Sequence, residues 1–186
     1  MNRERLEYLI TIMERVEKEE RKFNMGDWGR NDGTSPVNLC NTVCCAFGSA
    51  ALDPVSMAEG LHMRADWTNG STHGYTDIYS LDDLGKVPHG AYVSLAMTPV
   101  FAGNMHFEAA MAYYDISEHA AHFLFHPSHY NMPASWIKPH HVIDHIKEIL
   151  NGKQFPDDDE EFDPEDYDPE NYDDDDDQAT ASEGFV

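Results

Sequence analysis

The segment LHMRADWTNGSTHGYTDIYSLDDLGKVPHG, residues 61–90, decides the fold class. Gly70, Gly74, Gly85, Pro88 and Gly90 punctuate it every few residues, a density that marks turns and loops. Tyr75 to Leu81 is its one candidate for a short extended piece. On this reading 61–90 is a loop-rich insertion, and the fold class rests on what flanks it.

The flanks read as helical. In residues 2–22, Leu6, Leu9, Ile10, Met13 and Val16 recur at the three-to-four spacing that builds one apolar face, with Asn2 placed as N-cap. Residues 23–39 form an ordered loop pinned by Phe23, Met25 and Trp28. Residues 41–52 are small and apolar and read as a buried helix. Asp53-Pro54 opens a short helix that ends near Gly60, since Asp caps and Pro suits the first turn. Residues 92–101 are ambiguous between strand and helix. Asn104 caps a helix through Tyr114, Ser117 caps another to Phe125, and Pro127 stops it. Pro139 opens a last helix whose apolar residues are Val142, Ile143, Ile146, Ile149 and Leu150, with Gly152 as its stop. The expected fold is mainly α: a small single-domain helical bundle over 1–154 carrying the 61–90 insertion.

Charge sets the second boundary. The 186 residues contain 12 Lys+Arg and 35 Asp+Glu, a formal charge of −23. Pro156 to Val186 holds 16 of the acids and no Lys or Arg; the other 19 acids and all 12 bases lie in 1–155, a net of −7. A block so charged repels itself and has little to bury, so 155–186 is expected to be a disordered acidic tail. A phosphate backbone would be repelled, which disfavours direct nucleic-acid binding. No apolar run approaches the roughly 20 residues that span a bilayer. The charged first 22 residues hold no signal-peptide core, which leads to the expectation of a cytoplasmic protein.

Aromatics punctuate the tail. Residues 163–167 (Asp-Pro-Glu-Asp-Tyr) and 168–172 (Asp-Pro-Glu-Asn-Tyr) repeat, and Phe155, Phe162, Tyr167, Tyr172 and Phe185 are spread along it. Charge can steer an encounter with a basic surface while rings supply contact area. The candidate partner-binding residues are Phe162, Asp166, Tyr167, Tyr172, Asp173, Asp174, Asp175, Asp176 and Asp177. The competing reading is a solubilising, self-repelling tail.

Two sets of residues in the body invite chemistry. Three Cys in a chain without a leader point to reduced thiols. Cys40, near a helix start, is either a reactive thiol or a small buried residue locking loop to helix, and a Cys40–Cys45 pairing is conceivable under oxidising conditions. His119, His122 and His126 stand at i, i+3 and i+7, within about 60° of one helical face. His129 follows, and His141 and His145 form an i,i+4 pair on the last helix. If the two helices faced each other, they could offer three or four imidazoles to Zn²⁺. Otherwise the stripe is the polar face of a helix, titrating near neutrality beside local acids. No nucleophile elbow, phosphate loop or dinucleotide turn is present, which weighs against an enzyme.

Several of these pieces occur together in a known pattern. Cys40-Asn41-Thr42-Val43-Cys44-Cys45-Ala46-Phe47-Gly48 is similar to a C-G-T-x-x-C-x-x-G segment, and Phe23-Asn24-Met25-Gly26-Asp27-Trp28 precedes it. A Tyr-Tyr-Asp-Ile-Ser step at 113–117, Leu124-Phe125-His126-Pro127 and a final Pro-initiated helix follow. Over residues 4–150 the chain resembles a family of small, uncharacterised helical proteins of bacteria and their phages. It departs at Asn41, where the family usually has Gly, and adds Cys44, the 61–90 segment and the tail. The resemblance implies a helical fold and a phage or bacterial origin, and carries no established activity.

The functional expectation is a non-enzymatic, phage-encoded protein-binding protein without a cofactor. Its tail would engage a basic host protein, for instance in the groove that normally holds nucleic acid. The alternatives are a His-rich metal-binding protein or zinc-dependent hydrolase, and a virion structural component. The oligomeric state stays open, because the Cys-rich and final helices could pack within one chain or across a dimer.

Overall fold

A computed structural model describes residues 1–19, 21–31, 42–88, 91 and 97–155. Their order is α1 (Arg3–Lys18), β1 (Arg30–Asn31), β2 (Thr42–Val43), α2 (Ala46–Ala51), α3 (Pro54–Ala58), β3 (His62–Asn69), β4 (Thr72–Ile78), β5 (Met97–Phe101), β6 (Asn104–Met105), α4 (His106–Tyr114), α5 (Glu118–Phe125) and α6 (Pro139–Leu150). Short 3-10 turns stand at Leu81–Lys86, Pro127–Tyr130 and Ala134–Trp136.

The mainly α bundle is overturned. Among the described residues 51% are helix and 20% strand, with a four-stranded antiparallel sheet in the order β4-β3-β5-β6. The loop-rich insertion expected at 61–90 is overturned, because His62–Asn69 and Thr72–Ile78 are two strands of that sheet. The strand pattern is present in the residues: Met63 and Ala65 are fully buried while Arg64 and Asp66 face the other side. That alternation is the period of a half-buried strand. Asn69 pairs with Thr72 across a two-residue turn, Gly70-Ser71, in which Gly70 takes φ +61°. Glycine first in a two-residue loop is a preferred hairpin closure, so Gly70 here joins strands. Pro99 hides β5 in the sequence, because proline cannot donate to a ladder. Here β3 pairs across His62–Ala65 on one side, while two-residue β6 pairs only with Val100 and Phe101 on the other.

The helices follow local chemistry closely. The Asn2 side chain accepts the Arg5 N–H at 3.1 Å, Asp53 caps α3 through Val55 at 3.0 Å, and Ser117 caps α5 through Ala120 at 3.3 Å. Gly152, at φ +87°, follows α6. In α1 the buried face is Leu6, Leu9, Ile12, Met13 and Val16, with Ile10 only half-buried. That face packs along α6, where Val142, Ile143, Ile146 and Ile149 are buried, and against α2. α2 is shorter than its apolar run suggests, because Thr42-Val43 is a strand and Cys45 is the N-cap. α4 starts after Met105, since the Ala102-Gly103 turn draws Asn104 into β6.

One loop joins the helical side to the sheet. Residues 24–31 run between α2 and β3–β5, and among the backbone bonds that hold them two tie the loop to opposite sides. Cys45 N–H donates to Asp27 O at 2.6 Å, and Met97 N–H donates to Gly29 O at 2.9 Å. The fit leaves no room for side chains at two glycines. A Cβ on Gly29 would stand 2.5 Å from Met63 Cε and 2.8 Å from Met97 Cβ, and one on Gly48 would overlap the Trp28 carbonyl oxygen. Phe47 of α2 fills the centre, with Phe125 at 5.3 Å, Tyr114 at 5.8 Å and Trp28 at 6.2 Å between ring centroids.

Candidate functional site

The tail residues Phe162, Asp166, Tyr167, Tyr172 and Asp173 to Asp177 lie outside the described residues, as does Cys40 and with it any Cys40–Cys45 pairing. The structure therefore bears on the thiols of α2, on the imidazoles and on the surfaces of the body.

Cys44 and Cys45 are free and buried. The Cys45 sulfur caps α2 by accepting the Gly48 N–H at 3.4 Å. Burial pushes its pKa up to about 12, and burial likewise holds the Cys44 thiol well above its ordinary value. A thiol that stays protonated is a poor nucleophile and a poor metal ligand. The C-x-x-G element is thus a latch: Cys45 caps the helix, and Gly48 admits the Trp28 backbone against it.

The histidines divide into separate groups. His122 stacks on Phe107, with centroids 4.1 Å apart and planes 11° off parallel. His126 is 5.8 Å from His122 and 6.3 Å from His129, so these three imidazoles form one row. The His126 Nδ1 faces Ser128 Oγ at 2.7 Å and accepts the Ser128 N–H at 3.3 Å, which caps the Pro127–Tyr130 turn. That contact is local to the turn, with the imidazole lone pair already used by the backbone.

His145 sits elsewhere. Its ring lies between Phe123 at 4.0 Å and Tyr130 at 4.1 Å, both nearly parallel, and its Nδ1 bonds the Phe123 carbonyl at 3.0 Å. His141 Nδ1 accepts the Lys138 N–H at 2.9 Å and so caps α6. His119 is exposed on α5. His119, His122, His126, His141 and His145 therefore do not converge. Among the described residues, no group of three or more His, Cys, Asp or Glu is arranged to hold a metal ion. Sequence spacing correctly put His122 and His126 side by side, but their neighbour is His129 of the following turn.

Four of the imidazoles are biased towards the neutral form. Burial lowers the pKa of His126, His129, His141 and His145 from the ordinary 6.5, and neighbouring imidazolium charge adds to this for His126, His129 and His141. Lys153 works in the same direction at His129 and His145, while the Phe123 carbonyl, Glu148 and Asp144 oppose it at His145 and Asp144 and Glu17 oppose it at His141. A base with a lowered folded pKa contributes stability that is present above its unfolded pKa and lost as pH falls towards the folded value. The melting temperature is expected to drop between about pH 7 and pH 5, ahead of most carboxylate titration. His145→Gln should flatten that slope in thermal melts, and equal slopes in both proteins would contradict it.

Two polar networks join elements. Asp53 is 5% exposed and receives Tyr8 Oη at 3.0 Å and Arg15 at 2.8 Å from α1. Arg5 pairs with Glu59 at 2.7 Å, bonds the Tyr113 carbonyl at 2.6 Å and lies 4.2 Å over the Tyr113 ring. These contacts weld α1 to α3 and α4.

Two features of the surface stand out. Trp136, Tyr75 and Tyr79 are exposed at 68%, 66% and 57%. Tyr79 stacks on His62 at 4.3 Å, and Arg64 lies 4.9 Å over Tyr75 while pairing with Asp77 at 2.9 Å. Phe155, placed with the tail by composition, packs on Phe123 at 5.4 Å and so belongs to the body. No helix among the described residues is long and apolar enough to cross a membrane.

No family model matches the chain, and neither a curated protein nor a solved structure matches it.

Proposed function

We propose that this is a non-enzymatic, phage-encoded protein-binding protein, in which a folded α/β body carries an acidic segment that engages a basic surface of another protein. The observation that carries this reading is the segregation of charge: 16 acids and no Lys or Arg in Pro156 to Val186, against a net of −7 in the rest. Solubility alone asks for charge of either sign anywhere on the surface. It does not ask for rings spaced among the acids at Phe162, Tyr167 and Tyr172, which give a partner apolar area to grip. The chemistry of the body supports the same reading. Cys44 and Cys45 are buried and Cys45 caps α2, His141 and His126 cap backbone, and the Asp53 and Arg5 networks tie helices together.

A basic, nucleic-acid-binding groove is the surface such a segment fits. A regular row of carboxylates presents it with charge of the sign and density of a phosphate backbone. The test changes Asp173, Asp174, Asp175, Asp176 and Asp177 to Asn in the full chain and measures capture of basic proteins from a bacterial lysate at low and moderate salt. Five exposed charge contacts at about 0.3 kcal/mol each sum to about 1.5 kcal/mol, so affinity should fall about tenfold. The salt dependence should flatten as well. Unchanged affinity and salt dependence would remove the tail from the account.

A further inference from the structure

We propose that the outer edge of β4 pairs with the same edge of a second copy, in an antiparallel register centred on Tyr75, giving a homodimer with one continuous sheet. This inference stands apart from the proposed role of the tail. Its starting point is that β4 ends the sheet order β4-β3-β5-β6, so among the described residues its far edge has no strand beside it. Edge strands are normally guarded by charged side chains, above all Lys, by Pro, by a bulge or by extreme shortness, and of these β4 carries only Asp77, which pairs with Arg64 of β3. Thr72–Ile78 runs seven residues, contains neither Lys nor Pro, and pairs with β3 in unbroken register from Met63↔Ile78 to Asn69↔Thr72.

The side chains then choose the partner. His73, Tyr75 and Asp77 share the face that carries Arg64 and Asp66, opposite the buried face of Met63, Ala65 and Ile78. A two-fold axis at Tyr75 places Tyr75 opposite Tyr75 of the other copy, and His73 opposite Asp77 on both sides of the axis. An aromatic pair is a favourable cross-strand combination, and the His73 ring can donate a hydrogen bond to the Asp77 carboxylate, which also holds Arg64 at 2.9 Å. Other registers lose this. An axis at Asp77 sets carboxylate against carboxylate, and one at His73 sets imidazole against imidazole. An axis at Gly74 or Thr76 leaves Tyr75 facing His73 or Asp77. On the other face, Gly74 meets Thr76, and the space that a Gly74 side chain would need is filled by the Trp67 indole. Self-complementarity about a single axis is the signature of an isologous contact. The two Tyr75 rings, each 66% exposed in the single chain, would bury one another.

Cysteine trapping of the full chain tests the register directly. Directly opposed cross-strand residues have Cα atoms about 4.5–5.5 Å apart, within disulfide reach. Tyr75→Cys should form a disulfide-linked dimer under mild oxidant at more than about ten times the wild-type rate. His73→Cys should not, since four residues along the strand set its two copies about 13 Å apart. His73→Cys combined with Asp77→Cys should crosslink again. Sedimentation of the unmodified wild-type chain should give twice 21.1 kDa at moderate salt, where repulsion between the acidic chains is screened. A wild-type monomer with no Tyr75→Cys crosslink would overturn the proposal, as would crosslinking through His73→Cys alone.

Discussion

Gly48→Ala is expected to cost the fold more than about 3 kcal/mol, although helix propensity alone predicts a gain of up to about 1 kcal/mol. The sign is decided by the Trp28 backbone. An added Cβ overlaps the Trp28 carbonyl oxygen, lies 2.8 Å from its carbon and stands 3.2 Å from Cys44 Cβ. The neighbouring segment cannot retreat, because bonds from Cys45 N to Asp27 O at 2.6 Å and from Met97 N to Gly29 O at 2.9 Å hold it on both sides. Overpacking against backbone forces those bonds apart. Urea denaturation would show the loss as a lower midpoint. A variant as stable as wild type would contradict the role of this contact in joining helices to sheet.

Phe47→Ala should destabilise by about 3–5 kcal/mol, the range for an aromatic side chain removed from a packed core. Phe47 is completely buried and touches rings from three elements: Trp28 of the loop, Tyr114 of α4 and Phe125 of α5. Those rings come from three separate elements, so closing the cavity fully would need several of them to move together. Phe47→Leu keeps most of the volume and should recover more than half of the loss. Equal losses for Ala and Leu would show that ring geometry, not volume, holds this centre. The two positions lie side by side in the C-x-x-G segment, and both serve packing.

The helices were legible because their signals are local. Asn2, Asp53-Pro54, Ser117, Pro139 and Gly152 each act within one turn, and each stands at the helix end it marked. The sheet was obscured by residues with two meanings. Gly70 reads as a break in a loop and as the tip of a hairpin; the alternation of Met63, Arg64, Ala65 and Asp66 before Asn69-Gly70 was the signal that separates them. Pro99 argues against a strand on its own, and only the short reach of β6 makes it tolerable. Tertiary context also moved the buried position in α1 from Ile10 to Ile12.

The site residues show the same division. His122 and His126 are neighbours because they share a helix face, which spacing dictates. Whether His145 meets them depends on how α5 and α6 cross. There Phe123 and Tyr130 take both faces of the His145 ring, and the Phe123 carbonyl takes its Nδ1. No periodicity within either helix encodes that contact. Phe155 was assigned by composition to the acidic segment, yet a single apolar residue beside Phe123 is enough to bring it into the body.

The most direct test of the central claim compares the full chain with residues 1–155, which retain Phe155 and every described core residue. Both proteins are immobilised and exposed to bacterial lysate at low and moderate salt, after matched thermal melts establish that the shorter one is folded. A basic protein should be held by the full chain, released by salt and absent from the 1–155 eluate. The same partners on both forms, with the same salt dependence, would contradict it and place recognition on the α/β body.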